Sequence, residues 1–89
     1  MSGHQVDRFA QAGLEPSPWE AAPGTMFGEH AHPRAKLLTC QAGSIRFLLH
    51  PGDEVVELRE GDWIQLPAGQ AHSAVAGPGG VRCAEAFHD

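Results

Sequence analysis

Glycine and proline divide this sequence into short apolar runs, and that punctuation limits the folds open to it. Eleven glycines and seven prolines are spread over 89 residues. Short runs bounded by turn residues are typical of β-strands, and no stretch shows the sustained apolar period of a capped helix. Ile45, Phe47 and Leu49 alternate with Arg46 and Leu48, as expected for a half-buried strand. The sequence therefore predicts an all-β domain, either an antiparallel sandwich or a small barrel.

The same pattern gives approximate strand positions. We expect turns at Pro16–Pro18, at Ala42-Gly43 and at Gly77–Gly80, among others. The predicted strands are Phe9–Leu14, Trp19–Ala22, Phe27–His32, Lys36–Ala42, Ser44–Leu49, Glu54–Leu58, Asp62–Leu66, His72–Ala76 and Val81–Phe87.

Charge and length exclude several classes of protein. The net charge is −5, and the six basic residues are scattered, whereas a nucleic-acid surface needs a clustered positive stripe. The apolar runs are too short to cross a bilayer, so no membrane partner is expected. The N-terminus lacks the charged-then-apolar pattern of a secretory signal, which predicts a cytoplasmic protein. The length suits one compact domain, residues 1–89.

Two histidine segments carry the chemical signal. The first, GTMFGEHAH from Gly24, places His30 and His32 two residues apart, so that both side chains leave the same face of a strand. The second, GDWIQLPAGQAH from Gly61, ends at His72 after a Pro-Ala-Gly turn. Because neutral imidazole is the commonest protein ligand for metals, the three side chains could converge on one ion.

These segments resemble the paired motifs of the cupin superfamily. The first motif reads Gly, five residues, His-x-His, three or four residues, Glu, six residues, Gly; here Gly24, His30, His32 and Gly43 keep that spacing. The second reads Gly, five residues, Pro-x-Gly, two residues, His, three residues, Asn; here Gly61, Pro67, Gly69 and His72 match. The two motifs together span residues 24–76, more than half of the chain.

Two positions depart from the family pattern. Ala76 replaces the asparagine of the second motif, and Lys36 replaces the glutamate of the first, which is normally a metal ligand. A protonated ammonium has no lone pair to donate and repels a cation at contact distance. Lys36 therefore swings away, is neutral, or belongs to a site without metal. It is our candidate catalytic residue, as a general acid or base or as the anchor of a substrate carboxylate. The competing interpretation is an ammonium that reaches the barrel mouth and meets Glu29 or Glu85.

The resemblance implies a fold and an assembly. The fold is a small antiparallel β-barrel or double-stranded β-helix of jelly-roll type, with its core over residues 24–76. Residues 1–19 would pair with the barrel edge or exchange between subunits, because unpaired strand groups need a partner. Many small cupins are dimers, so a homodimer is expected.

The resemblance also implies a function class without a reaction. We expect a metal-binding cupin that binds or acts on a small oxygenated or anionic molecule. Its ligands would be His30, His32 and His72, and its cofactor a divalent transition metal such as Zn, Ni, Fe or Mn, or none. The alternative is a non-catalytic ligand-binding or sensing cupin with a vestigial or metal-free site. Fold membership does not decide whether the protein is an enzyme.

Four other side chains carry weaker signals. Cys40 and Cys83 are expected to be small buried hydrophobes rather than groups that line the cavity. Phe27 alternates with the histidine positions, so it should face away from the cavity. Parity leaves open which face of its strand Trp63 occupies, and core packing is favoured over a place in the cavity.

Overall fold

The computed structural model describes residues 7–88, where one short helix precedes six strands. Every strand pairing is antiparallel, which confirms the predicted all-β class, although the sheet does not close on itself. The elements are α1 (Arg8–Ala12), β1 (Ser17–Ala21), β2 (Met26–His30), β3 (Lys36–Leu49), β4 (Glu54–Arg59), β5 (Trp63–Leu66) and β6 (His72–Phe87).

The long strands β3 and β6 form the frame of the fold. They pair from Lys36 and Phe87 at one end to Leu49 and His72 at the other. One half of this ribbon is flanked by β1 and β5, and the other half by β2 and β4. Side chains of both halves pack into one apolar core, whose buried members are Leu38, Cys40, Ile45, Phe47, Leu58, Ile64, Leu66, Ala76, Val81 and Cys83.

Each long strand passes through an irregular segment between its two halves. Gly43 pairs with Val81 and Ile45 pairs with Ala76, so Ser44 alone opposes residues 77–80. We predicted turns at Ala42-Gly43 and Gly77–Gly80, and that prediction is wrong because both long strands continue through them. The extra residues form bulges, which bend a ladder without ending it.

The N-terminal segment also differs from expectation. The predicted strand Phe9–Leu14 is wrong, because α1 lies there, capped by the Asp7 side chain and by Gly13 in the left-handed conformation. Its one buried side chain, Phe9, packs against Leu37 and Ala84 on the outer face of the sheet. The two caps and the packing of Phe9 therefore favour a helix over a strand in this segment.

The strand β1 starts inside a predicted turn. Ser17 and Pro18 pair with Glu85 and Ala84 of the same chain, so the Pro16–Pro18 turn is wrong from Ser17 onward. Proline is tolerated there because β1 has a neighbour on one side only. Exchange of residues 1–19 between subunits stays a prediction, and residues 1–6 lie outside the described part. In residues 7–88 no helix is long and apolar enough to cross a membrane.

The bend predicts a strict requirement for glycine at position 43. Gly43 has φ +76°, and a Cβ there would collide with the Gly80 carbonyl of β6. We expect Gly43→Ala to lower the free energy of unfolding by about 2–5 kcal/mol, through strain and overpacking together. Urea unfolding measures it. The matched control is Gly52→Ala, where φ is not positive and a Cβ meets nothing within 4 Å. Equal midpoints for the two variants would contradict this role of the bend.

Candidate metal centre

Three histidine side chains meet at one end of the folded sheet. His30 ends β2 and His72 begins β6, and the two are register partners across these strands. His32 follows two residues after His30, beyond the end of β2. The ring centroids lie 4.4–5.5 Å apart, and one nitrogen from each ring lies within 4.8 Å of the others. The structure thus brings together all three histidines that the sequence singled out.

Backbone carbonyls orient two of the rings. Nδ1 of His30 donates to the Gly28 carbonyl at 2.7 Å, and Nδ1 of His72 donates to the Gln70 carbonyl at 3.1 Å. A carbonyl can only accept, so the proton sits on Nδ1 and Nε2 keeps its lone pair. This second hydrogen bond is the usual way in which a metal-binding imidazole is held in place.

The surroundings of His32 and His72 favour the neutral form of both rings. Burial lowers the pKa of His72, with the neighbouring His30 and Lys36 adding to the effect. Burial, followed by the Lys36 ammonium, also lowers the pKa of His32. His72 is 2% exposed, whereas His30 is open to solvent. The cluster therefore has a buried side and an open side, and the lowered pKa values keep the imidazoles of His32 and His72 available as ligands at neutral pH.

Lys36 lies inside the molecule, beside this cluster. The residue is 8% exposed, and its Nζ lies 3.1 Å from a carboxylate oxygen of Glu85. The interpretation that its ammonium meets Glu85 is confirmed, but the pair is largely buried rather than at the mouth. Glu29 instead lies 3.7 Å from His50.

A chain of polar contacts joins Lys36 to the histidines. Nζ donates to Nε2 of His32 at 3.2 Å. On the other side, Glu85 accepts a 2.8 Å hydrogen bond from the Trp19 indole. Sequence reasoning named Glu85 as a possible partner of Lys36 but missed the role of Trp19. Glu85 lies two residues after Cys83 on β6, so the two side chains share one face of the strand. This spacing was a usable signal that Glu85 faces inward.

The donor set fits a transition-metal ion, and Lys36 competes with that ion for one of the three imidazoles. Two imidazoles present free Nε2 atoms, and imidazole suits first-row transition metals. The Nε2 lone pair of His32, however, is engaged by the Lys36 ammonium. An ion bound through that nitrogen must displace Lys36, which could stay paired with Glu85.

A cavity of about 590 Å³ opens beside the histidines, between the two halves of the sheet. His30, His72, Lys36 and Glu85 line its polar end. Its apolar walls come from every strand except β4, and include Trp19, Phe27, Leu38, Ile45, Phe47 and Leu66.

Phe27 corrects a prediction made from strand parity. We expected it to face away from the cavity, but it lines the cavity and packs edge-on against Trp19, with ring centroids 5.5 Å apart. The register of β2 against β6 shifts between Phe27 and His30. A bulge of this kind reverses the facing of residues on either side, so simple alternation fails there.

The remaining side chains lie away from the cavity. Cys40 and Cys83 are register partners in the core, and burial raises the pKa of both thiols, that of Cys83 to about 12. Their interpretation as buried hydrophobes is confirmed. Trp63 packs on the outer face of the sheet, its ring centroid 4.9 Å from that of Phe9, while Ile64 faces the main core.

Comparisons with known proteins agree with this geometry. The family model for the Cupin domain matches residues 19–84. No curated protein is similar enough to the chain to count as a match.

Solved structures show the same fold. A conserved Streptococcus pyogenes protein of unknown function has a TM-score of 0.72 and 22% identity, over 83% of this chain and 62% of that one. A Klebsiella pneumoniae protein with a double-stranded β-helix domain has a TM-score of 0.69 and 27% identity, over 81% of this chain and 60% of that one. The W96Y form of oxalate decarboxylase from Bacillus subtilis has a TM-score of 0.77 and 25% identity, over 85% of this chain and 21% of that one. This chain therefore spans less than two thirds of each of these proteins, and the predicted double-stranded β-helix is confirmed.

The lowered histidine pKa values predict a loss of stability in acid. The pKa of His72 lies below its ordinary value of 6.5 in the folded protein and returns to it on unfolding. Below about pH 6.5 the unfolded chain therefore binds protons that the folded protein resists, so the free energy of unfolding falls as the pH falls. In metal-free protein, His72→Gln should flatten this dependence between about pH 7 and pH 5.

Denaturant unfolding at several pH values measures that slope. The control is His50→Gln, because His50 lies outside the cluster and contacts Asp53 at 3.1 Å. The slope, unlike the absolute stability, is insensitive to packing defects that the substitution introduces. If both variants keep the parent slope, His72 is not held neutral by its surroundings.

Proposed function

This chain belongs to the Cupin domain family, and from that membership we propose that it is a small metal-binding cupin that binds or acts on a small oxygenated or anionic molecule. His30, His32 and His72 are its proposed ligands. The observation that carries the proposal is their convergence, with nitrogens within 4.8 Å of one another, beside a cavity that His30 and His72 line. Two of the three are already oriented by backbone carbonyls.

The proposed cofactor is a divalent transition metal, with Zn, Ni, Fe and Mn all compatible with imidazole ligands. The Bacillus subtilis oxalate decarboxylase among the similar structures contains Mn(II) centres. When bound, such an ion would polarise a carbonyl or carboxylate oxygen of the substrate as a Lewis acid. The proposed set is neutral, since Lys36 stands where the family has glutamate, and this should weaken affinity for hard cations.

Lys36 is the proposed catalytic residue. Its ammonium lines the polar end of the cavity, next to His30 and His72, where it can donate a hydrogen bond to an anionic group of the substrate. Glu85 holds it there through the 3.1 Å ion pair, and Trp19 fixes the carboxylate in turn. A proton could pass between Lys36 and a substrate atom with Glu85 as the compensating charge.

One observation favours a second candidate function. The ammonium of Lys36 donates a hydrogen bond to His32, so it occupies the lone pair that a metal ion would otherwise use. A metal-free, non-catalytic cupin that binds or senses a small molecule would use the same cavity. Tight binding of a metabolite without turnover, by protein that refuses metal, would distinguish it.

Three further proposals carry over from the sequence. We propose one domain over residues 1–89, which a single cooperative unfolding transition would support. A homodimer is proposed, and sedimentation equilibrium giving the monomer mass would contradict it. A cytoplasmic location is proposed and can be tested by cell fractionation.

Metal content tests the main proposal. We expect near-stoichiometric transition metal in tag-free protein purified without chelator, and its loss in a His30→Ala, His72→Ala double variant. The matched control is a His50→Ala, His88→Ala double variant, which removes two imidazoles outside the cluster. Circular dichroism confirms that both variants fold. Protein that takes up no Zn, Ni, Mn or Fe, or a control that loses metal equally, overturns the three-histidine centre.

Variants of Lys36 test its competition with the metal. Lys36→Met removes the ammonium from His32 and should tighten Zn affinity roughly tenfold or more, the scale of one charge-assisted hydrogen bond. Lys36→Glu should tighten it further if the side chain points at the ion, because a repelling group becomes a ligand. Competition with a chelating dye measures both affinities.

The control for lost charge is Arg82→Met, which removes one positive charge from an exposed position of β6. It should leave Zn affinity near the parent value, because an exposed charge outside the site is screened. Unchanged affinity in Lys36→Met would place the ammonium outside the reach of the ion.

A further inference from the structure

We infer that the natural ligand is amphipathic, with one oxygen-bearing head group at the polar end of the cavity and an apolar body along its walls. This inference rests on the proposed function, since it names the class of molecule that the same site accepts. It separates this chain from cupins that act on a small dianion, such as the oxalate of the similar decarboxylase.

The size of the cavity is the first argument. Its volume of about 590 Å³ equals the space of about twenty water molecules at about 30 Å³ each. That lies within the range of pockets for small organic ligands, roughly 300–1,000 Å³. A two-carbon diacid would fill only a small part of this space, whereas a head group with a hydrocarbon chain or ring would use it.

The chemistry of the walls is the second argument. Leu38 and Leu66 come from one half of the folded sheet, and Ile45 and Phe47 from the other. Trp19 and Phe27 add an edge-to-face aromatic pair. Water against such a surface finds few hydrogen-bond partners, so an apolar group that displaces it gains affinity. Four polar side chains of the lining lie at the histidine end, and the other two are the half-buried Thr25 and the exposed Glu20.

Charge balance is the third argument. The ammonium of Lys36 and the carboxylate of Glu85 lie 3.1 Å apart, so their charges cancel within the lining. Apart from a bound ion, the cavity therefore has no surplus positive charge for a second carboxylate. Glu85 would also repel a dianion along the wall that it shares with Trp19. A single negative charge or a polarised neutral oxygen is the head group that this balance accepts.

The two tryptophans make the inference measurable. Trp19 lines the cavity and donates its indole proton to Glu85, whereas Trp63 packs under α1 on the outer face. In Trp63→Phe protein the emission comes from Trp19 alone, because the chain has two tryptophans. This protein is titrated with acetate, butyrate, hexanoate and octanoate, and with oxalate and hexanedioate as dianions, each with and without added Zn. Calorimetry on the same samples gives the affinities independently of the emission.

We expect the Kd to fall roughly two- to fourfold for each added CH₂, as burial of that group requires. Hexanoate should bind more tightly than either dianion. Phe27→Asn, a half-buried position of the wall, should reduce the dependence on chain length, while Val55→Asn, an exposed position of β4, should not. A Kd that does not change with chain length, oxalate binding as tightly as hexanoate, or no binding by either method would overturn the inference.

The Zn arm separates this inference from the proposed function. If the protein binds Zn but its Kd values are independent of chain length, the metal centre stands and the amphipathic ligand is wrong. If it takes up no Zn but the dependence on chain length remains, the metal centre is wrong and the apolar pocket stands.

Discussion

β3 and β6 pair with each other on both sides of a shared bend, and this ribbon carries Lys36, His72 and Glu85 and pairs with the strands that carry Trp19 and His30. Their shared bend, where Gly43 approaches Gly80, turns one ribbon into two halves that enclose an apolar core. One end of the ribbon places Lys36 beside the C-terminal part of β6, and the other end places His72 at its start. The fold brings these two ends onto one cavity, so a defect at the bend would reach the site as well as the core.

The bend is also the part of the fold that the sequence predicted wrongly. Short strands between turn residues predicted the all-β class, and two motifs with the right spacing identified the family. The same glycines were then misjudged, because a glycine that ends a strand and a glycine that bends one are alike in sequence. What distinguishes them at Gly43 is the approach of another strand, which is a long-range contact. The helix α1 escaped prediction for a different reason: it has five residues, too few to show a period.

Within the site, the sequence predicted which residues meet but not how their charges combine. The motif spacing was sufficient for His30, His32 and His72, although His32 lies beyond the end of β2, where strand parity does not apply. Alternation placed Phe27 on the wrong face, because it was continued through the bulge of β2 between Phe27 and His30, where Gly28 lies. The sequence did not reveal that Lys36 is shared between Glu85 and His32, a balance that depends on distances across two strands. Because the Lys36 ammonium contacts both His32 and Glu85, an ion would have to displace it to reach Nε2 of His32. The cavity lining, which also includes Glu20, has no surplus positive charge.

Nitrogen NMR of the histidine rings tests the proposed metal centre most directly, because it reports each ring nitrogen separately. Before metal is added, His30 and His72 should carry their protons on Nδ1, as their carbonyl partners require. One equivalent of Zn should then shift Nε2 of both rings strongly and leave His50 and His88 unchanged. Resonances of His30 and His72 that do not move, or a shift confined to His50 or His88, would contradict a metal centre at this end of the sheet.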